Sequence, residues 1–88
     1  MHKPAPPTDA ELLIQDLKRS AFTLTCHARQ RMQERCVTRR DITNVGYTVE
    51  TLEKQSNSRF KVRGSDCSGD ELTLICAYEA GTLVVTVY

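Results

Sequence analysis

The sequence predicts an α+β domain in which two to three N-terminal helices pack on one face of a small antiparallel β-meander. Three observations carry that expectation. Two capping boxes stand in the first half, Thr8-Asp9-Ala10-Glu11 and Thr38-Arg39-Arg40-Asp41. Each can satisfy amides that a first helical turn leaves unpaired. Between them, Thr25 to Cys36 is dense in helix formers and free of Gly and Pro. From Arg59 onward, apolar and polar residues alternate with the period of half-buried strands.

Met1 to Pro7 contains three prolines and reads as a flexible tail, which leaves residues 8–88 as a single domain. The helix opened by Thr8 runs to about Arg19. Leu12, Leu13 and Leu17 form its apolar stripe, and Lys18 and Arg19 lie at the end where cations are favoured. Ser20 to Leu24 is a short connection or edge strand. Thr25 then caps the central helix. At 3.6 residues per turn, Ala28, Met32 and Cys36 form a stripe fit for burial, and His27, Arg31 and Arg35 form the next one.

The third helix opens at Thr38, turns Ile42 and Val45 inward, and ends between Gly46 and Glu50. In the first long strand, Phe60 and Val62 face the core while Arg59, Lys61 and Arg63 face the other way. Gly64 to Asp70 has loop composition. Glu71 to Tyr78 alternates again, Glu79 to Thr82 is a hairpin turn, and Leu83 to Tyr88 is a β-branched final strand.

Eighty-eight residues support one modest core. No apolar run approaches the length of about 20 residues that crosses a bilayer, and the N-terminus has no apolar signal core. The expectation is a cytoplasmic protein with no membrane partner. A net charge of +1 argues against a broad basic surface. Its distribution is uneven, with eight Lys/Arg against five Asp/Glu in residues 1–45 and four against six in residues 46–88. A small phosphate-binding patch suits that balance.

The cysteines at 26, 36, 67 and 76 form no C-x-x-C pair, so no zinc site is expected, and no other metal or cofactor is implied. Cys26 and Cys36 stand about 15 Å apart along one helix, too far for a disulfide. Cys36 and Cys76 read as small buried apolar residues of a reduced protein.

The string from His27 to Ile42, H-A-R-Q-R-M-Q-E-R-C-V-T-R-R-D-I, resembles the signature of a small bacterial family, domain of unknown function 4258. That signature is H-A-x-x-R-M-x-x-R-G-[IV]-[ST]-x-x-[DE]-[IV], and the likeness extends over Phe22 to Tyr88. The family is grouped by fold with RelE-, BrnT- and MqsR-type toxins. The resemblance therefore implies a RelE-like fold and a metal-independent endoribonuclease acting on mRNA, the toxin of a type II toxin–antitoxin pair. Its partners would be an antitoxin protein and RNA, either free or as ribosome-bound mRNA. Two departures stand out: Cys36 replaces the usual Gly, and Gly46-Tyr47 replaces a common aliphatic pair. Catalytic groups vary across such toxins, so the likeness transfers no full catalytic set.

Metal-free RNA cleavage needs a base for the ribose 2′-OH, an acid for the leaving 5′-oxygen, and donors that stabilise charge on the phosphorus centre. His27 suits both proton roles near neutrality. Arg31 and Arg35 follow at one-turn intervals, and guanidinium matches phosphate bidentately. Arg59, Lys61 and Arg63 offer a second cationic row. Tyr88 could add a hydroxyl or a stacking ring, as terminal aromatics do in RelE-type toxins. The expected catalytic set is His27, Arg31, Arg63 and Tyr88, with Arg35, Arg59 and Lys61 on RNA.

Each residue also has a structural reading. His27 can bond to the backbone of its first turn, and Arg31 and Arg35 can pair with Glu34 or with neighbouring carboxylates. The cationic row can be the wet face of a strand, although three like charges side by side repel unless something acidic neutralises them. The competing function is a non-catalytic binding module on the same fold, docking a protein or nucleic acid. A third, a thiol redox protein, needs two cysteines close in space.

Overall fold

In a computed structural model that describes residues 5–56 and 58–88, each of the three helices starts at a threonine. The Thr8 hydroxyl accepts the Glu11 amide at 3.2 Å and opens α1, Asp9–Lys18. Thr25 accepts the Ala28 amide at 2.9 Å and opens α2, Cys26–Arg35. Thr38 opens α3, Arg39–Tyr47, and only here does the full reciprocal box close, with the Asp41 carboxylate accepting the Thr38 amide at 2.8 Å. Of the expected tail, Ala5 to Pro7 precede α1 without regular structure, and residues 1–4 lie outside the described residues.

Five strands follow: β1 (Phe22–Leu24), β2 (Thr51–Ser56), β3 (Arg59–Ser65), β4 (Glu71–Tyr78) and β5 (Thr82–Val87). They form one sheet in the order β1-β5-β4-β3-β2. The last four pair antiparallel, and β3, β4 and β5 are the expected meander. Two features differ from expectation. β1 is the edge strand allowed for Ser20 to Leu24, but it joins parallel to β5, so the sheet is mixed; and β2, for which no strand is expected, forms the other edge with Leu52 as its single apolar residue.

One face of the sheet carries Phe60, Val62, Leu72, Leu74, Cys76, Val84 and Val87, all buried in a common core with Leu13 and Leu17 of α1 and Ile42 and Val45 of α3. Each large side chain removed from water there stabilises the fold by about 1.5–3 kcal/mol. Val84 and Val87 share this face despite their odd spacing. The register skips Val85 between the pairs Ile75↔Thr86 and Cys76↔Val84, and one extra residue in a strand switches all that follow it to the other face.

β1 covers β5 only as far as Val84. Beyond that point α2 takes over the exposed edge. The Thr25 amide donates to the Val84 carbonyl at 3.1 Å, its hydroxyl donates to the Val85 carbonyl at 2.7 Å, and Arg31 Nε reaches the Val87 carbonyl at 3.5 Å. Arg39 secures the other side of β1: it donates to the carbonyls of Ser20 and Phe22 and stacks 4.2 Å above the Phe22 ring.

The burial expected for Cys36 is not observed. Ala28 and Met32 do pack into the core, but Cys36 is the C-cap residue in left-handed backbone (φ 56°, ψ 38°) and its side chain is exposed. The left-handed turn takes the residue off the stripe that the helical period assigns to it. Cys76 is buried as expected, and its apolar surroundings push the thiol up to about 12. No helix among the described residues is long and apolar enough to cross a membrane.

Candidate functional site

The sheet face turned away from α1 and α3 bears the charged residues in two rows set by strand register. Thr51, Arg63, Thr73 and Tyr88 lie side by side across β2, β3, β4 and the end of β5. Glu53, Lys61, Ile75 and Thr86 form the neighbouring row. The chain at Tyr88 is pinned to β4 by a reciprocal pair of backbone bonds with Thr73, both 2.8 Å. That pairing fixes where the half-exposed Tyr88 side chain stands.

Above these rows the last turn of α2 delivers Arg35. Together Arg35, Thr51, Glu53, Lys61, Arg63, Glu71, Thr73 and Tyr88 line a cleft of about 350 Å³. Four residues expected from the sequence therefore converge: Arg35, Lys61, Arg63 and Tyr88. Thr73 is buried beneath them and closes the floor.

The other three expected residues stand elsewhere. His27 is exposed in the first turn of α2, eight residues before Arg35, which is about 12 Å along the helix axis. It does not line the cleft. Arg31 pairs with Glu34 at 3.8 Å and reaches the Val87 carbonyl, a structural use of the guanidinium. Arg59 shares a face with Lys61 and Arg63 but opens β3 opposite Ala77, about 13 Å from Arg63, beyond the cleft.

The cleft is not purely cationic. Arg63 Nε lies 3.3 Å from Glu71 and 3.8 Å from Glu50, and it is cut off from solvent without a well-aligned acceptor. Repulsion along the Lys61-Arg63 row is thus relieved inside the molecule by carboxylates. Glu53 is the register partner of Lys61, yet neither forms an ion pair among the described residues, and Arg35 forms none either. Three cations, two carboxylates, a phenol and two hydroxyls give the cleft both phosphate donors and proton acceptors.

Glu53 and Glu71 were not foreseen as site residues. Glu71 stood in plain view at the start of an alternating strand, one position before the buried Leu72, and the signal was its face. Glu53 carried no comparable signal, because β2 lacks alternation of apolar residues.

Elsewhere, Ala10, Ile14, Val49 and Leu52 line an apolar hollow between α1 and the opposite face of β2. Among the described residues, no group of three His, Cys, Asp or Glu side chains is close enough to hold a metal ion. Cys26, Cys36 and Cys67 are exposed and Cys76 is buried, all unpaired.

The pattern that defines the family described as "Domain of unknown function (DUF4258)" matches residues 24–88. The chain belongs to this family. The matched span takes in every residue of the cleft, whereas α1 precedes it. Within that span Cys36 holds a left-handed position, where a glycine is least strained. No curated protein and no solved structure matches the chain.

Proposed function

We propose that the protein is the toxin of a type II toxin–antitoxin pair, a metal-independent endoribonuclease that cuts mRNA in the cleft beneath Arg35. The observation that carries this reading is the convergence of Arg35, Lys61, Arg63 and Tyr88 from separate elements on one hollow. Two guanidinium groups and an ammonium suit a phosphodiester, and they can stabilise the charge that builds as phosphorus becomes five-coordinate. The reaction attacks phosphorus with the ribose 2′-oxygen, breaks the bond to the 5′-oxygen, and leaves a 2′,3′-cyclic phosphate and a 5′-hydroxyl. The Tyr88 hydroxyl is the proton donor for the departing oxygen. Arg31 supports the helix that carries Arg35, and Arg59 guides RNA from outside the cleft. His27, exposed and about two turns from Arg35, takes no part in proton transfer at this site.

This reading implies cytoplasmic action on free or ribosome-bound mRNA, restrained by an antitoxin protein. Its test is direct. Purified protein is incubated with a short RNA and with the matching 2′-deoxy oligonucleotide, both in chelator. Cleavage of the RNA alone, with cyclic phosphate ends, is the expected result.

One observation favours a second reading, a RelE-like module that binds a protein or nucleic acid without turnover. Glu50 and Glu71 already engage Arg63, so part of the positive charge is satisfied internally. RNA that is bound yet left intact in the same assay decides for that module.

A further inference from the structure

We propose that Glu53 is the general base of the cleft, the group that takes the proton from the ribose 2′-OH. The inference rests on the ribonuclease reading and adds to it the residue that reading lacks. Two carboxylates line the cleft, Glu53 and Glu71, and their situations differ. Glu71 lies 3.3 Å from the Arg63 guanidinium, so its charge is already paired with a neighbouring cation. Glu53 has no ion pair among the described residues and extends into the cleft from β2.

Position makes the same choice. In-line displacement puts the entering and leaving oxygens on opposite sides of phosphorus, so base and acid must approach from opposite flanks. Tyr88 enters from the β5 side, and Glu71 stands on β4, the adjacent strand. Glu53 enters from β2, three strand spacings from β5, with Arg63 of β3 between them. At about 4.8 Å per strand, with Glu53 one row (two residues, about 7 Å) away along the strand, that is roughly 16 Å between backbones. Glutamate and tyrosine side chains reaching in from either side leave a gap suited to one phosphodiester.

The step balances. The Glu53 carboxylate accepts the 2′-OH proton as the 2′-oxygen bonds to phosphorus. The phosphorus–5′-oxygen bond breaks, and that oxygen leaves with the Tyr88 proton. Glu53 then releases its proton to solvent and Tyr88 regains one, which resets the site. Glu71 is a positioning residue: it holds Arg63 against the phosphate.

The test compares wild-type protein with Glu53→Gln, Glu53→Asp, Glu71→Gln and His27→Ala on one short RNA, with kcat, KM and a pH–rate profile for each. Glu53 is exposed on an edge strand, so its amide keeps the fold, which an unchanged thermal midpoint checks. The expected result is a fall in kcat of about 100-fold or more for Glu53→Gln, with partial recovery in Glu53→Asp. Glu71→Gln raises KM more than it lowers kcat. Glu53→Gln loses the acid limb of the wild-type pH–rate profile, whereas His27→Ala keeps it. Wild-type kcat in Glu53→Gln, or a large loss in His27→Ala together with loss of the acid limb, overturns the assignment and leaves the ribonuclease reading standing. RNA left intact by the wild-type protein overturns both.

Discussion

The Thr25 hydroxyl donates to the Val85 carbonyl at 2.7 Å, and the same oxygen accepts the Ala28 amide at 2.9 Å. One side chain thus caps α2 and attaches it to the bulge of β5. Arg35 hangs over the cleft from the far end of that helix, so its placement begins at Thr25. Thr25→Ala removes the cap and the bridge, and it should cost about 1–2 kcal/mol, whereas Thr25→Ser should cost much less. Urea unfolding of the two variants measures the difference.

Cys36 ends α2 with φ 56°, a left-handed position that favours glycine. Left-handed backbone costs an ordinary residue about 1–2 kcal/mol, while glycine pays extra entropy on folding of about 0.4–1 kcal/mol. The strain is the larger quantity. Cys36→Gly should therefore stabilise the protein by up to about 1 kcal/mol, visible as a thermal midpoint raised by a few degrees.

Gly46 lies inside α3, where helix propensity alone favours alanine by about 1 kcal/mol. Packing reverses that preference. A Cβ at this position would meet the Leu17 Cβ at 2.9 Å and the Lys18 amide nitrogen at 3.0 Å, and backbone cannot swing aside. Gly46→Ala should destabilise the fold by about 1–3 kcal/mol by pushing α3 off α1. A chemical denaturation curve with lowered midpoint checks it, and a raised midpoint contradicts the close packing.

The helices, their caps and the last three strands were legible because their signals are local: Thr8, Thr25 and Thr38 cap within one turn, and Phe60-Val62 alternate with Arg59-Lys61-Arg63. What escaped was set by long-range pairing. β2 is polar apart from Leu52, so it is a strand because β3 lies beside it. Phe22 to Leu24 pairs in parallel with residues sixty positions away, which no periodicity records. The site divided the same way. The shared face of Lys61 and Arg63 followed from the strand period, but the exclusion of Arg59 and His27 depends on how far along each element the cleft extends. Glu53 and Glu71 entered through cross-strand register.

Asp41 ties the start of α3 to the loop between β3 and β4. One carboxylate oxygen accepts the Thr38 amide at 2.8 Å and the other accepts the Cys67 amide at 2.9 Å. Burial works to raise this carboxyl, but the bonds from Thr38 and Cys67 outweigh it and hold it below the usual carboxylate range. A depressed native value means stability that is present above the unfolded carboxyl's range, about pH 4, and is lost as pH falls through the native value. Asp41→Asn should flatten that acid limb in a stability-against-pH profile and leave the neutral-to-alkaline side parallel to wild type.

The measurement that goes straight to the cleft compares Arg63→Ala with His27→Ala in RNA cleavage, each checked for an unchanged fold. Arg63 sits between Thr51 and Thr73 at the centre of the cleft floor, and His27 stands outside it. Loss of Arg63 should lower kcat/KM by about 100-fold or more, the scale of a removed transition-state donor, while loss of His27 changes it by no more than about 3-fold. A large loss at His27 with full activity at Arg63 would contradict the placement of the chemistry.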